Sequence, residues 1–247
     1  MNRRERQLIA ASILTGLLAA CSTQPAVPRL STAEALQKLR AQFPNVAVEQ
    51  VQESADLPGW YEVVTRDELV YADVEGRHLF VGKVVDIGTQ ADLTAKRWNE
   101  LNRVEFGTLP FDQAITTVRG NGSRKLAVFS DPFCPYCQDL EKDLQGITDV
   151  TIYTFLYPLE RVHPGATEAA RDIWCAPDRA SSWSEWMLNR KAPTRRECSD
   201  APLTALGELG EKLRINSTPS LIFQDGTRFA GAIPAQQVEE FLAKPQR

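Results

Sequence analysis

Leu126-Ala127-Val128-Phe129-Ser130-Asp131-Pro132-Phe133-Cys134-Pro135-Tyr136-Cys137 is the stretch on which the reading of this chain turns. Its first four residues are an apolar run of the kind that forms a buried strand. Its end places two cysteines two residues apart where a helix begins. Pro135 suits the first helical position, because the N–H it lacks would be unpaired there anyway. Cys134 then stands at the positive end of the helix, which favours its thiolate and makes it the expected attacking sulfur. Cys137, one turn deeper, is placed to resolve a mixed disulfide. A structural disulfide or half of a zinc site would use the same pair. Zinc, however, asks for a second close pair of ligands. The other cysteines are far apart, and the only histidines are His78 and His163. A redox-active dithiol is expected, with no metal and no cofactor.

The N-terminus supports an oxidising compartment. Arg3, Arg4 and Arg6 precede an apolar stretch from Leu8 to Ala20, too short for a comfortable membrane span and suited to a signal peptide over residues 1–20. It ends in Leu18-Ala19-Ala20-Cys21, which looks like a bacterial lipobox with Cys21 as the lipidated first residue of the mature chain. Ordinary cleavage after small residues would leave Cys21 as a stray thiol, a liability in an oxidising space. Residues 21–30 then read as a tether. Ser22 beside the anchor resembles the outer-membrane sorting pattern, so the expected location is the bacterial periplasm, on the outer membrane.

Three arginines and one glutamate fall in residues 1–20, so the remaining 227 residues carry 25 basic and 31 acidic side chains. A net charge of −6 gives no basic surface for nucleic acid. The length suggests two units. Setting Cys21 aside leaves four cysteines, the 134/137 pair plus Cys175 and Cys198. An even number in an extracytoplasmic protein argues for one reactive and one structural disulfide. Two unpaired core thiols at 175 and 198 are the alternative.

Ser31-Thr32-Ala33-Glu34 is a polar cap ahead of a helix. Short alternating strands follow: a run through Val46, Val48 and Val51, then 60–65, 69–73 and 78–84. Val46, Val48, Val63, Leu79 and Val81 are the expected core-facing positions. Residues 31–92 thus form a small α+β unit, too small to leave its sheet edges open, and edge pairing between two protomers would close them. Residues 93–110 read as a linker, with a charged helix whose Lys96, Arg97 and Glu100 face solvent. The second unit spans 111–247. It has a strand at 125–130, a helix at 136–144, a strand at 150–156, and helices near 165–176, 180–189 and 201–213. A strand pair at 220–224 and 228–231 turns at Asp225-Gly226, and a closing helix covers 236–243. The order βαβ, helical insertion, ββα is that of a thioredoxin fold. Thr218-Pro219 opens the strand after the insertion, where such folds place a cis proline opposite the dithiol. An ordinary trans proline at a strand start is the alternative.

Several motifs now fall in one order. Phe129 to Cys137, Ile173-Trp174-Cys175-Ala176, Ser217-Thr218-Pro219 and Gly59-Trp60-Tyr61-Glu62-Val63 are similar to the periplasmic disulfide isomerases of the DsbC and DsbG type. The resemblance covers nearly everything after residue 31. It implies an α+β protein with a cystatin-like N-terminal dimerisation domain, a linker helix, and a thioredoxin-fold catalytic domain with a helical insertion. It further implies a V-shaped homodimer, a Cys175–Cys198 structural disulfide, and catalysis by Cys134 and Cys137 with Pro135, Tyr136, Thr218 and Pro219 in support. A membrane thiol reductase of the DsbD type would be the electron donor, and misoxidised secreted or envelope proteins the substrates.

Three features depart from that pattern. The lipobox at Cys21 implies a membrane partner that soluble relatives lack. Pro135-Tyr136 matches the DsbG branch rather than the Gly-Tyr of DsbC, and this dipeptide tunes redox poise. Thioredoxins proper carry a buried acid six residues before the first cysteine, where this chain has Val128, so the proton acceptor for Cys137 is left open. The expected function is reduction or isomerisation of non-native disulfides. Sulfenic-acid reduction, disulfide donation as an oxidase, and a non-catalytic envelope chaperone are the alternatives.

Overall fold

The computed structural model describes residues 29–194, 198 and 201–244. The lipobox, Cys21 and most of the tether lie outside the described residues.

Helix α1 (Thr32–Gln42) opens the N-terminal unit. Ser31 caps it, and the Glu34 carboxylate reaches back to the Ser31 N–H at 2.8 Å, completing the capping box legible in the sequence. Four antiparallel strands follow in the order of the chain: β1 (Val48–Glu53), β2 (Trp60–Thr65), β3 (Leu69–Asp73) and β4 (Leu79–Phe80). Ala35 and Leu39 of α1 pack with Val48, Val51, Tyr61, Val63, Val70 and Ala72 on one face of this sheet. The other face carries Val64, Leu69 and Tyr71, against which Trp98 and Leu101 of α2 (Leu93–Leu101) pack. Helix α2 is therefore more than a linker. Its Arg97, read as facing solvent, donates from Nε to the buried carboxylate of Glu62 at 2.8 Å.

The expected core of this unit needs correction. Val48 and Val63 are buried, but Val46, Leu79 and Val81 are exposed, Val81 at 61%. Val46 precedes β1. Leu79 lies on β4, the last strand of its sheet, where only Tyr71 and Ala72 of β3 provide partners, and Val81 follows it. The strand expected over 78–84 is correspondingly reduced to two residues.

The second unit begins earlier than position 111 in its packing, since Val104, Phe106 and Leu109 are buried in its core. Its sheet has five strands in the order β5-β7-β6-β8-β9, from β5 (Ile115–Arg119), β6 (Arg124–Ser130), β7 (Val150–Leu156), β8 (Ser220–Phe223) and β9 (Arg228–Ala230). Only β6 and β7 are parallel. Helix α3 (Pro135–Leu144) joins them as the crossover. Helices α4 (Ala166–Trp174), α5 (Arg179–Asn189) and α6 (Leu203–Lys212) form the insertion, and α7 (Ala235–Leu242) closes the chain.

Period-two alternation on β6 divides the core. Leu126 and Val128 join Leu140 and Leu144 of α3 and Val238 and Leu242 of α7 on one face. Ala127 and Phe129 join the insertion helices, Trp183 and both thiols on the other. Strand β5 was not anticipated. Only Ile115 of its five residues is buried, so Ile-Thr-Thr-Val-Arg carries little strand signal of its own.

Candidate active site

Strand β6 delivers the chain at Ser130, and three residues turn it into α3. The turn is held by Asp131, whose side chain is fully buried. Its Oδ1 accepts the Phe133 N–H at 2.7 Å and its Oδ2 the Leu159 N–H at 2.6 Å. His163 Nδ1 lies 3.1 Å from the same Oδ2. The Asp131 carbonyl accepts the Cys134 N–H at 3.2 Å. A second brace comes from α5, where Trp186 Nε1 donates to the Pro132 carbonyl at 2.7 Å and its ring lies 5.4 Å from that of Phe133.

Cys134 is the N-cap of α3, in extended backbone geometry, and Pro135 occupies the first turn as its missing N–H permits. Both cysteines are free thiols and nearly inaccessible, Cys134 at 4% exposure and Cys137 at 2%. The Cys134 thiol donates to the Thr218 carbonyl at 3.3 Å. The peptide bond between Thr218 and Pro219 is cis. The loop before β8 thus meets the start of α3, across 84 residues of sequence. Tyr136 stands out from this surface, exposed, with Val162 exposed on the neighbouring loop.

The two sulfurs are driven in opposite directions. Hydrogen bonding to the Cys134 sulfur, from the Cys137 thiol first and then from the Cys137 and Tyr136 N–H groups, outweighs its burial. These bonds pull its pKa down to about 5. Burial pushes the Cys137 thiol up, and donating to a Cys134 thiolate pushes it further. The result is one thiolate ready to attack and one thiol held in reserve.

Away from this pair, Cys175 and Cys198 are disulfide-bonded with their Cα atoms 5.7 Å apart, tying the end of α4 to the segment before α6. The Trp174 ring beside it carries the Arg179 guanidinium 3.7 Å above its centroid. Among the described residues no group of three or more His, Cys, Asp or Glu side chains is arranged to hold a metal ion. The structure therefore brings Cys134, Pro135, Tyr136, Cys137, Thr218 and Pro219 into one place and sets Cys175 and Cys198 apart. Residues not singled out from the sequence are Ser130, Asp131, His163 and Trp186. The one available signal was an acid directly after a buried strand, Asp131, with no partner visible nearby in sequence.

Comparison with known proteins agrees with this geometry. Residues 111–246 match the thioredoxin-like domain family, and residues 26–95 match the disulfide bond isomerase protein N-terminal domain. The chain is 40% identical over 184 residues to a protein of Bordetella parapertussis named probable thiol:disulfide interchange protein DsbC, covering 74% of this chain. It is 41% identical over 186 residues to the protein of the same name from Bordetella avium, covering 75%. The matches span 65% and 66% of those relatives' lengths. A crystal structure of a disulfide interchange protein from Neisseria gonorrhoeae superposes with a TM-score of 0.54 at 43% identity, over 56% of this chain and 99% of that one. With a pair of free thiols at the head of α3, seated on a thioredoxin-like sheet, the chain belongs to the thioredoxin-like family, and its N-terminal unit matches the disulfide bond isomerase N-terminal domain.

Proposed function

We propose that the protein is a thiol–disulfide oxidoreductase that reduces or isomerises non-native disulfides in secreted and envelope proteins. The observation that carries this reading is the asymmetric pair of thiols, a Cys134 sulfur with its pKa lowered to about 5 beside a Cys137 thiol raised by burial. The Cys134 thiolate attacks a substrate disulfide and a mixed disulfide forms. The substrate then rearranges, or Cys137 displaces it. Thiolate attack requires the reduced pair, so an electron donor is part of the reading, and a DsbD-type membrane thiol reductase fills that role. No cofactor is needed.

The reading extends to assembly and place. Two chains join through their N-terminal sheets as a homodimer, which the exposed Leu79, Phe80 and Val81 at the β4 end of the sheet support. Lipidation at Cys21 after removal of residues 1–20 anchors the protein to the outer membrane, supported by the lipobox in the sequence. Cys175–Cys198 is the structural disulfide, and Pro135, Tyr136, Thr218 and Pro219 support the reactive pair.

Turnover of scrambled ribonuclease tests the chemistry. Cys134→Ser should abolish it, and Cys137→Ser should accumulate mixed disulfides. Full activity in the Cys134 variant ends this reading. Alkylation of both thiols in growing cells, lost when the reductase is deleted, separates it from disulfide donation by an oxidase.

A further inference from the structure

The turn that carries the attacking sulfur includes the peptide unit between Pro132 and Phe133, and this unit is gripped at both polar ends. Its N–H donates to Asp131 Oδ1 at 2.7 Å. Its carbonyl accepts the Trp186 indole N–H, also at 2.7 Å. The Phe133 ring lies 5.4 Å from the Trp186 ring and also borders Gly165, the N-cap of α4. Asp131 belongs to the turn itself. Trp186 comes from α5, 54 residues away in sequence, and ties the turn to the helical insertion.

Helix α5 is itself anchored. Trp183, three residues before Trp186 and so on the same side of the helix, is buried and donates from its indole to Glu141 Oε2 of α3 at 3.1 Å. Cys134 depends on the support that results. It is the N-cap of α3, with φ −69° and ψ 120°, so its backbone is not held by the helix and is set from the turn before it. Its N–H goes to the Asp131 carbonyl at 3.2 Å, and its sulfur reaches the Thr218 carbonyl 3.3 Å away. The donors that favour its thiolate, the Cys137 thiol and the N–H groups of Cys137 and Tyr136, belong to the residues after it. A loosened turn would carry the sulfur away from them.

We propose that Trp186 is a positioning residue for disulfide attack, its indole N–H fixing the Pro132–Phe133 peptide and with it the placement of the Cys134 sulfur. This rests on the oxidoreductase reading above. In the attack, the Cys134 thiolate bonds to one sulfur of the substrate disulfide and the bond between the two substrate sulfurs breaks. The second sulfur leaves with the electron pair as a thiolate, so the Cys134 sulfur is oxidised and the leaving sulfur reduced. Trp186 exchanges no proton or electron in this step and acts only through the backbone.

The test compares two equivalent losses on one helix. Trp186→Phe keeps a ring against Phe133 and loses the N–H. Trp183→Phe makes the same loss at a bond about two turns beyond Cys134. Reduced wild type and both variants are reacted with oxidised glutathione from about pH 4 to 8, and loss of the free Cys134 thiol is followed by acid quench and mass spectrometry. The pH midpoint of the rate should rise by about half a unit to one unit in Trp186→Phe, the scale of one net hydrogen bond. It should stay at the wild-type value in Trp183→Phe, although both variants unfold at lower urea. An unmoved midpoint in Trp186→Phe overturns the assignment and leaves the oxidoreductase reading intact. So does an equal rise in Trp183→Phe, which traces the effect to looser packing. A Trp186→Phe chain without the wild-type circular dichroism overturns it as well, since the tryptophan then holds the fold and not the turn. A wild-type protein that does not react with the disulfide overturns the oxidoreductase reading and this assignment with it.

Discussion

The Cys134 thiol donates to the carbonyl oxygen of Thr218 at 3.3 Å, joining the first turn of α3 to the loop before β8 across 84 residues of sequence. The contact stabilises the protonated thiol, whereas a shell of donors led by the Cys137 thiol favours the thiolate and lowers the Cys134 pKa.

The first prediction follows from that shell. Alkylation of Cys134 by iodoacetamide should be half-maximal near pH 5, not near the 8.5 of a free cysteine. Because the folded value lies below the unfolded one, ionisation stabilises the reduced protein. That stability is complete above about pH 8.5 and is lost as pH falls through 5. Urea denaturation of the reduced protein should therefore show wild type and Cys134→Ala converging as pH drops from 8.5 to 5. A reactivity midpoint near 8.5 contradicts the lowered pKa.

Breaking the second disulfide should affect stability and leave the chemistry intact. The Cys175–Cys198 bond spans a sequence separation of 23. Replacing both residues by alanine should cost about 2–4 kcal/mol in urea unfolding. Alkylation kinetics of Cys134 should be unchanged, because the bond lies outside the cluster of groups that contact its sulfur. A slowed Cys134 would instead show that the bridge shapes the dithiol.

Arg97 should matter far more than a solvent-facing helix residue. Glu62 has a buried carboxylate that accepts from Arg97 at 2.8 Å, Gln52 at 2.5 Å and Ser54 at 3.2 Å. Arg97→Ala leaves that charge short of its cationic partner. The expected loss is at the lower end of the ~3–5 kcal/mol range for breaking a buried pair, since Arg97 itself keeps some solvent contact. Arg97→Ala with Glu62→Gln should recover part of the loss, read as the denaturation midpoint of the N-terminal unit. A neutral Arg97→Ala would mean that Glu62 is satisfied without it.

Charge placed on β4 should separate protomers. Leu79 and Phe80 are exposed at the end strand of the N-terminal sheet. Light scattering at micromolar concentration should give a dimer for the wild type and a monomer for Phe80→Asp, with unchanged circular dichroism. A monomeric wild type contradicts assembly through this edge.

Much of this architecture was legible because local pattern and tertiary role coincide. Strands 60–65, 69–73 and 150–156 match their observed bounds, since β2, β3 and β7 are buried along almost their whole length and read as apolar runs. The start of α3 was set by a proline that only the first turn tolerates. Strand β5 escaped because an edge strand with one buried residue needs β7 beside it to exist. The exposure of Leu79 and Val81 escaped for the related reason that alternation marks two faces without telling which is covered.

By itself the sequence determined most of the element order, the dithiol and the helix caps, and its even cysteine count argued for a second disulfide, all properties of residue type and short-range spacing. Only the tertiary structure decided which groups surround the two sulfurs. Thr218 meets Cys134 because the loop before β8 reaches the start of α3, and Leu159 and His163 reach Asp131 because the loop after β7 folds back over it. A buried charge or thiol draws its properties from whatever the fold places within a few ångströms, and those neighbours come from distant parts of the chain.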